Sequence, residues 1–201
     1  LINSFNESPN PAKIYAIGHI VSKIGKIGFK SIIPGIVDKL LDVGKNFLHP
    51  AIYGITMCFK RDGNDLEKSV KKAIDLAKRG LGVNINKNEN GEQIKLMSLK
   101  LLRTIAKHNN SQNKKILDLA FEQIKESESS LIYDQACYTI AKILILPILN
   151  MPVEEEEKDF SIAKKKSKSS QIETAFVNAF NVFKNENRSA FPTLLYHFLG
   201  M

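Results

Sequence analysis

The chain has 201 residues, 43% of them hydrophobic, enough to bury a continuous core and to form one domain or one stretch of a longer array. Its formal charge of +8 comes from 29 Lys and Arg against 21 Asp and Glu, yet arginine stands only at Arg61, Arg79, Arg103 and Arg188. Lysine is a hydrated point charge, whereas planar two-pronged reading of phosphates and bases favours arginine, so the excess gives little support to a dedicated nucleic-acid reader.

Residues 1–10 are polar, and Pro11 begins a first helix over 11–24, whose apolar positions Ile14, Ile17, Ile20, Val21 and Ile24 share one face before Gly25 and Gly28. Ser31 is the expected cap of a second helix, with Pro34 in its first turn, Ile33, Ile36, Val37, Leu40 and Leu41 as its buried stripe, and Gly44 at its close. A second hairpin starts at Pro50, runs through Ile52, Ile55, Met57 and Phe59, and breaks at Arg61, Asp62 and Gly63. Asn64 or Asp65 is expected to cap its return helix, with Leu66, Val70, Ile74, Leu76 and Ala77 inward and Lys68, Lys71, Lys72, Lys78 and Arg79 outward.

Residues 83–91 carry four asparagines and Gly91 and form a polar loop. A third hairpin follows, Ile94, Leu96, Leu99, Leu102 and Ile105 on one helix and Ile116, Leu117, Leu119, Ala120 and Ile124 on the next, with a turn at 108–112. A fourth helix over 129–148 carries Leu131, Ile132, Ala136, Ile140, Ile143 and Leu144, and no partner helix of the same pattern comes after it. Instead Glu154 to Glu157 and then Lys164, Lys165, Lys166 and Lys168 mark residues 152–169 as a flexible, oppositely charged loop. A last hairpin has Ile172, Phe176, Val177, Phe180 and Phe183 on one helix, and Phe191, Leu194, Leu195, Phe198 and Leu199 on the other.

Ala16, Gly54, Ser98, Ala136 and Ala175 each stand as a small residue among apolar ones, at steps of 38, 44, 38 and 39 residues. Recurrence in this range marks stacked helical hairpins, so the fold class is all-α and the architecture an α-solenoid. The phrases Ser31-Ile32-Ile33-Pro34-Gly35-Ile36-Val37 and Ser189-Ala190-Phe191-Pro192-Thr193-Leu194-Leu195 place a proline near the start of the second helix of a hairpin. In this the chain resembles HEAT and armadillo repeats, over about four fifths of its length, although the Asp and Arg that often form the family's ladder are not periodic here. The resemblance implies a right-handed α-solenoid of about five helical hairpins, the alternative being an irregular helical bundle. Residues 1–201 are then one helical-repeat domain, and because no Met opens the chain it is expected to be a piece of a larger protein.

A solenoid of this type implies a protein-binding scaffold, the second helices of the hairpins lining the face along which a partner lies. The candidate partner-binding residues on those helices are Lys39, Lys68, Lys71, Lys72, Asp75, Lys78, Lys114, Lys115 and Asp118. The same lysines support an alternative function, a basic accessory module for nucleic acid or an acidic membrane surface.

No catalytic, cofactor or metal set is read from the chain, and it is taken not to be an enzyme. His19, His49, His108 and His197 lack a second histidine or carboxylate at helical spacing, and Gly25-Lys26-Ile27-Gly28 lacks the ending of a phosphate loop. The tract from Ile140 to Met151 is interrupted by Lys142 and Pro147 and is too short to span a bilayer, which needs about 20 apolar residues. Cys58 and Cys137 lie in apolar helical runs and are expected as buried reduced thiols, which points to a cytoplasmic compartment. Abundant Lys, Asn and Ile resemble the composition of AT-rich genomes and fit a scaffold secreted by an intracellular bacterium as a second setting.

Overall fold

Apolar residues at three-and-four spacing decide nearly all of the local structure, because each such run gains stability only by burying one helical face. The computed structural model describes residues 8–23, 32–126, 129–149, 177 and 191–200. Among these residues there is no strand and there are eight α-helices: α1 (Pro11–Lys23), α2 (Ile33–Val43), α3 (Leu48–Asp62), α4 (Val70–Leu81), α5 (Gly91–His108), α6 (Asn113–Glu126), α7 (Ser130–Leu149) and α8 (Phe191–Leu199). The charged loop at 152–169 and the helix expected around Ile172 to Phe183 lie outside the described residues.

Helix α1 packs along α3, α3 along α5 and α5 along α7, so that alternate helices form one row. Helices α2, α4 and α6 fill its flank: α2 packs against α3, α4 against α3 and α5, and α6 against α5 and α7. Contact between α2 and α4, and between α4 and α6, is lighter, and α8 packs on α7. A single apolar cluster runs through the two rows, from Ile14 and Val37 by way of Ile52, Phe59, Ile74 and Leu102 to Ile116, Ala136 and Ile140. Each fully buried Ile, Leu or Phe contributes on the order of 1.5–3 kcal/mol.

Small residues set how closely the row packs. A Cβ added to Gly18 would stand 2.9 Å from the Gly54 Cα and 2.9 Å from the Tyr53 Cε1, so α1 and α3 meet backbone to backbone. Gly80 abuts the Ser98 hydroxyl, and that hydroxyl is already committed to the Ile94 carbonyl at 2.8 Å. Of the small residues that marked the repeat, Gly54, Ser98 and Ala136 are buried as expected, Ala175 lies outside the described residues, and Ala16 is exposed. Gly18 occupies the close contact instead, because the face of α1 that meets α3 is rotated from the one centred on Ala16. Ile20 and Leu131, both expected inward, are likewise exposed.

Helix ends show where local signals give way to packing. Gly44 and Gly82 close α2 and α4, their N–H groups donating to the carbonyls of Leu40 and Lys78. Ser31 lies outside the described residues, and Ile32 holds the N-cap position of α2 without a side-chain bond. Neither Asn64 nor Asp65 caps α4: α3 runs straight into a 3₁₀ segment (Gly63–Ser69), and α4 begins after Ser69. Leu66, 1% exposed, anchors that segment in the core, while Gly63 lies against the His108 ring and Asn64 Oδ1 meets His108 Nδ1 at 3.1 Å. In the loop after α4, Asn84 and Asn88 accept from the backbone N–H two residues on, each at 2.9 Å, which fixes two turns without glycine.

Candidate functional site

The residues expected to contact a partner all lie on the flanking row. Lys39 is half-buried on α2, Lys68 is exposed in the 3₁₀ segment, and Lys71, Lys72, Asp75 and Lys78 on α4 and Lys114, Lys115 and Asp118 on α6 are exposed. The fold brings Asp75 and Lys115 together as an ion pair of 3.0 Å that links α4 to α6. Both side chains keep about half their surface in water, so the pair is worth at most about 1 kcal/mol. Acids alternate with bases throughout this row: over residues 33–45, 63–81 and 113–126, ten Lys and Arg face eight Asp and Glu.

The basic excess stands on the other row. Helices α1, α3, α5 and α7 carry nine Lys and Arg against three Asp and Glu, and α5 alone supplies Lys95, Lys100, Arg103 and Lys107. Arg103 is the centre of a cluster built from α3, α5 and α7. Its Nη1 donates to the Gln135 carbonyl at 3.3 Å, to Gln135 Oε1 at 3.1 Å and to Thr139 Oγ1 at 3.0 Å. Its guanidinium carbon lies 4.7 Å from the centre of the Tyr138 ring, and the Lys142 ammonium lies 5.7 Å from the same ring.

No protein-family model, curated protein or solved structure matches this chain. Burial pulls the Arg103 pKa down to about 10. Burial also lowers that of Lys100, and the nearby charges of Lys60 and Arg103 lower it further. Among the described residues no carboxylate pairs with Lys60, Lys100, Arg103 or Lys142; Asp134, the nearest acid in sequence to Gln135, is engaged with His197, Oδ1 to Nε2 at 2.8 Å. A group of like charges drawn together and partly withdrawn from water opposes folding, so it lowers its free energy whenever an anion arrives.

Three of the four histidines meet side chains that lie far from them in the sequence. His49 meets the Tyr15 hydroxyl across α3 and α1, His108 meets Asn64, and His197 joins α8 to α7 through Asp134 while its ring lies 5.3 Å from that of Tyr138. Burial holds the His49 imidazole below its usual range, and burial with the neighbouring Tyr53 raises the Tyr15 phenol. Both shifts favour a Tyr15 hydroxyl that donates to an unprotonated Nδ1. Among the described residues no group of three His, Cys, Asp or Glu is placed to hold a metal ion, and no helix is long and apolar enough to cross a membrane.

The Arg103 cluster escaped the sequence reading for a simple reason. Its hydrogen-bonding partners lie 32 and 36 residues away, on a helix whose neighbour is decided by the stacking of rows. One signal was present: Lys100, Arg103 and Lys107 follow the three-and-four spacing of one face of α5.

Proposed function

We propose that the chain is a helical-repeat scaffold, a right-handed α-solenoid of the HEAT and armadillo type, which binds another protein along the exposed faces of its helix rows. The observation that carries this reading is the packing order, α1 on α3 on α5 on α7 with α2, α4 and α6 filling the flank, which repeats one helix-pair relation along the chain. Such a stack produces long faces whose side chains come from successive hairpins, and an extended or helical partner contacts several hairpins at once. The flanking row, with Lys39, Lys68, Lys71, Lys72, Asp75, Lys78, Lys114, Lys115 and Asp118, is the proposed partner face, and its mixed charge suits a partner of mixed polarity. A reducing, cytoplasmic setting suits the two buried free thiols of Cys58 and Cys137.

The test is cross-linking and affinity capture with the intact chain, with and without nuclease, at low and moderate salt, beside the variant Lys68→Glu/Lys71→Glu/Lys72→Glu. A protein that survives nuclease and moderate salt and is lost on charge reversal supports the scaffold and its flanking face. Capture that survives reversal refutes that face. The nine-to-three excess of bases on the other row favours a second reading, a module for polyanions. Material released by nuclease, with affinity falling steeply as salt rises, would establish that reading in place of the first.

A further inference from the structure

The Arg103 guanidinium is a half-used fork. All three of its hydrogen bonds leave from Nη1, toward Gln135 and Thr139 of α7. Nε and Nη2 have no hydrogen-bond partner among the described residues, and the side chain is half-buried. These two nitrogens form the side-on edge of the guanidinium, the edge that takes the two oxygens of one carboxylate in parallel. Gln135 and Thr139 thus do more than satisfy Nη1: they hold the plane of the fork and leave that edge without a partner among the described residues. The Tyr138 ring beneath the guanidinium adds to the same restraint.

Three further cations belong to the same cluster. Lys100 is one turn before Arg103 on α5, Lys60 on α3 is close enough to depress the Lys100 ammonium, and Lys142 on α7 shares the Tyr138 ring with Arg103. Helix axes in contact lie about 8–10 Å apart, so the three helices set these charges across roughly 16–20 Å, about the span of five or six residues of extended chain. We propose that this face binds an acidic segment of a partner protein, with one carboxylate seated on the Nε and Nη2 edge of Arg103 and flanking acids met by Lys60, Lys100 and Lys142. The assignment rests on the scaffold reading and adds a second contact surface to it, on the row opposite the flanking lysines.

A nucleic acid suits the face less well. Tyr138 is already covered by two cations, so it offers no open ring for base stacking, and one recessed arginine is few for a phosphate backbone.

The test is fluorescence anisotropy with a labelled Glu-rich peptide, its Gln counterpart and a single-stranded RNA, on the intact chain and on Lys100→Glu, Lys142→Glu, Arg103→Lys and the flanking-row triple variant. The Glu peptide is expected to bind the unaltered chain and the flanking-row variant equally. Its affinity should fall tenfold or more in Lys100→Glu and Lys142→Glu, neither of which alters a hydrogen bond that holds α5 on α7. Arg103→Lys keeps the charge and loses the fork, so a similar fall separates two-pronged seating from simple attraction. Equal binding of Glu and Gln peptides, or reversals without effect, would overturn the proposal. If a captured protein partner is indifferent to these reversals, the acidic-segment assignment fails and the scaffold stands. RNA bound through these lysines, with no peptide or protein bound, would overturn both.

Discussion

The same substitution at two helical glycines should move stability in opposite directions. In a helix, Ala is favoured over Gly by up to about 1 kcal/mol, partly because it restricts the unfolded chain. Gly35 lies in the first turn of α2, and a Cβ there would meet nothing within 4 Å, so Gly35→Ala should stabilise by about 0.5–1 kcal/mol. Gly18 lies in α1, where the same Cβ would stand 2.9 Å from the Gly54 Cα. Ordinary carbon contacts are about 3.5–4.0 Å, so α1 and α3 would have to part by roughly 0.6–1 Å along a long interface. The atom in the way belongs to backbone and has no rotamer to escape into, which puts the overpacking cost in the upper part of the usual 1–3 kcal/mol. After the helix-propensity gain, Gly18→Ala should destabilise by about 1–2 kcal/mol. The two variants should then differ by about 2 kcal/mol, or roughly 4–8 °C in Tm for a chain of this size. Urea and thermal unfolding followed by far-ultraviolet circular dichroism would measure both. A rise in stability for Gly18→Ala comparable to that of Gly35→Ala would refute the close approach of α1 to α3, and with it the packing of the first pair in the row.

Further outcomes follow from single sites. Ala136→Glu places a charge at a position with no exposed surface in α7, where an unpaired charge costs several kcal/mol; loss of cooperative unfolding is expected, and a native-like transition would contradict the burial of Ala136. Cys58 and Cys137 are pushed up to about 12, chiefly by burial, so neither thiol should react with a disulfide reagent at neutral pH until urea unfolds the chain; fast reaction in the native state would contradict their burial. The folded state keeps His49 below its usual range, so as pH falls through the ordinary imidazole range the unfolded chain takes up a proton that the folded chain resists, and stability declines. His49→Gln should flatten that decline in urea titrations at successive pH values, and an unchanged slope would remove His49 as its source.

The helices were legible from apolar spacing because helix formation and face burial depend on neighbours three and four residues away. Leu40, Ile55, Ile74, Leu102 and Ile116 could each be assigned inward on that basis, and each is buried. Gly44 was equally readable as a stop. The candidate site was legible only in part. The exposure of Lys68, Lys71, Lys72 and Lys78 followed from the apolar face of α4, and the single face shared by Lys100, Arg103 and Lys107 was visible on α5.

What the sequence by itself determined, then, is the helical character of the described residues and, α1 and the start of α7 aside, the side of each helix that turns inward, because both are set largely by contacts local in the chain. Tertiary structure alone decided which helices became neighbours, and hence everything that depends on separations of tens of residues. That includes the backbone meeting of Gly18 with Gly54, the displacement of a cap at Asn64 or Asp65 by a 3₁₀ turn anchored through Leu66, and the partners of His49 and His197. It also includes the Arg103 cluster. A charge excess can be counted from composition, but whether the bases stand among acids, as on α2, α4 and α6, or gather without them around Arg103, is fixed only when α3, α5 and α7 lie side by side.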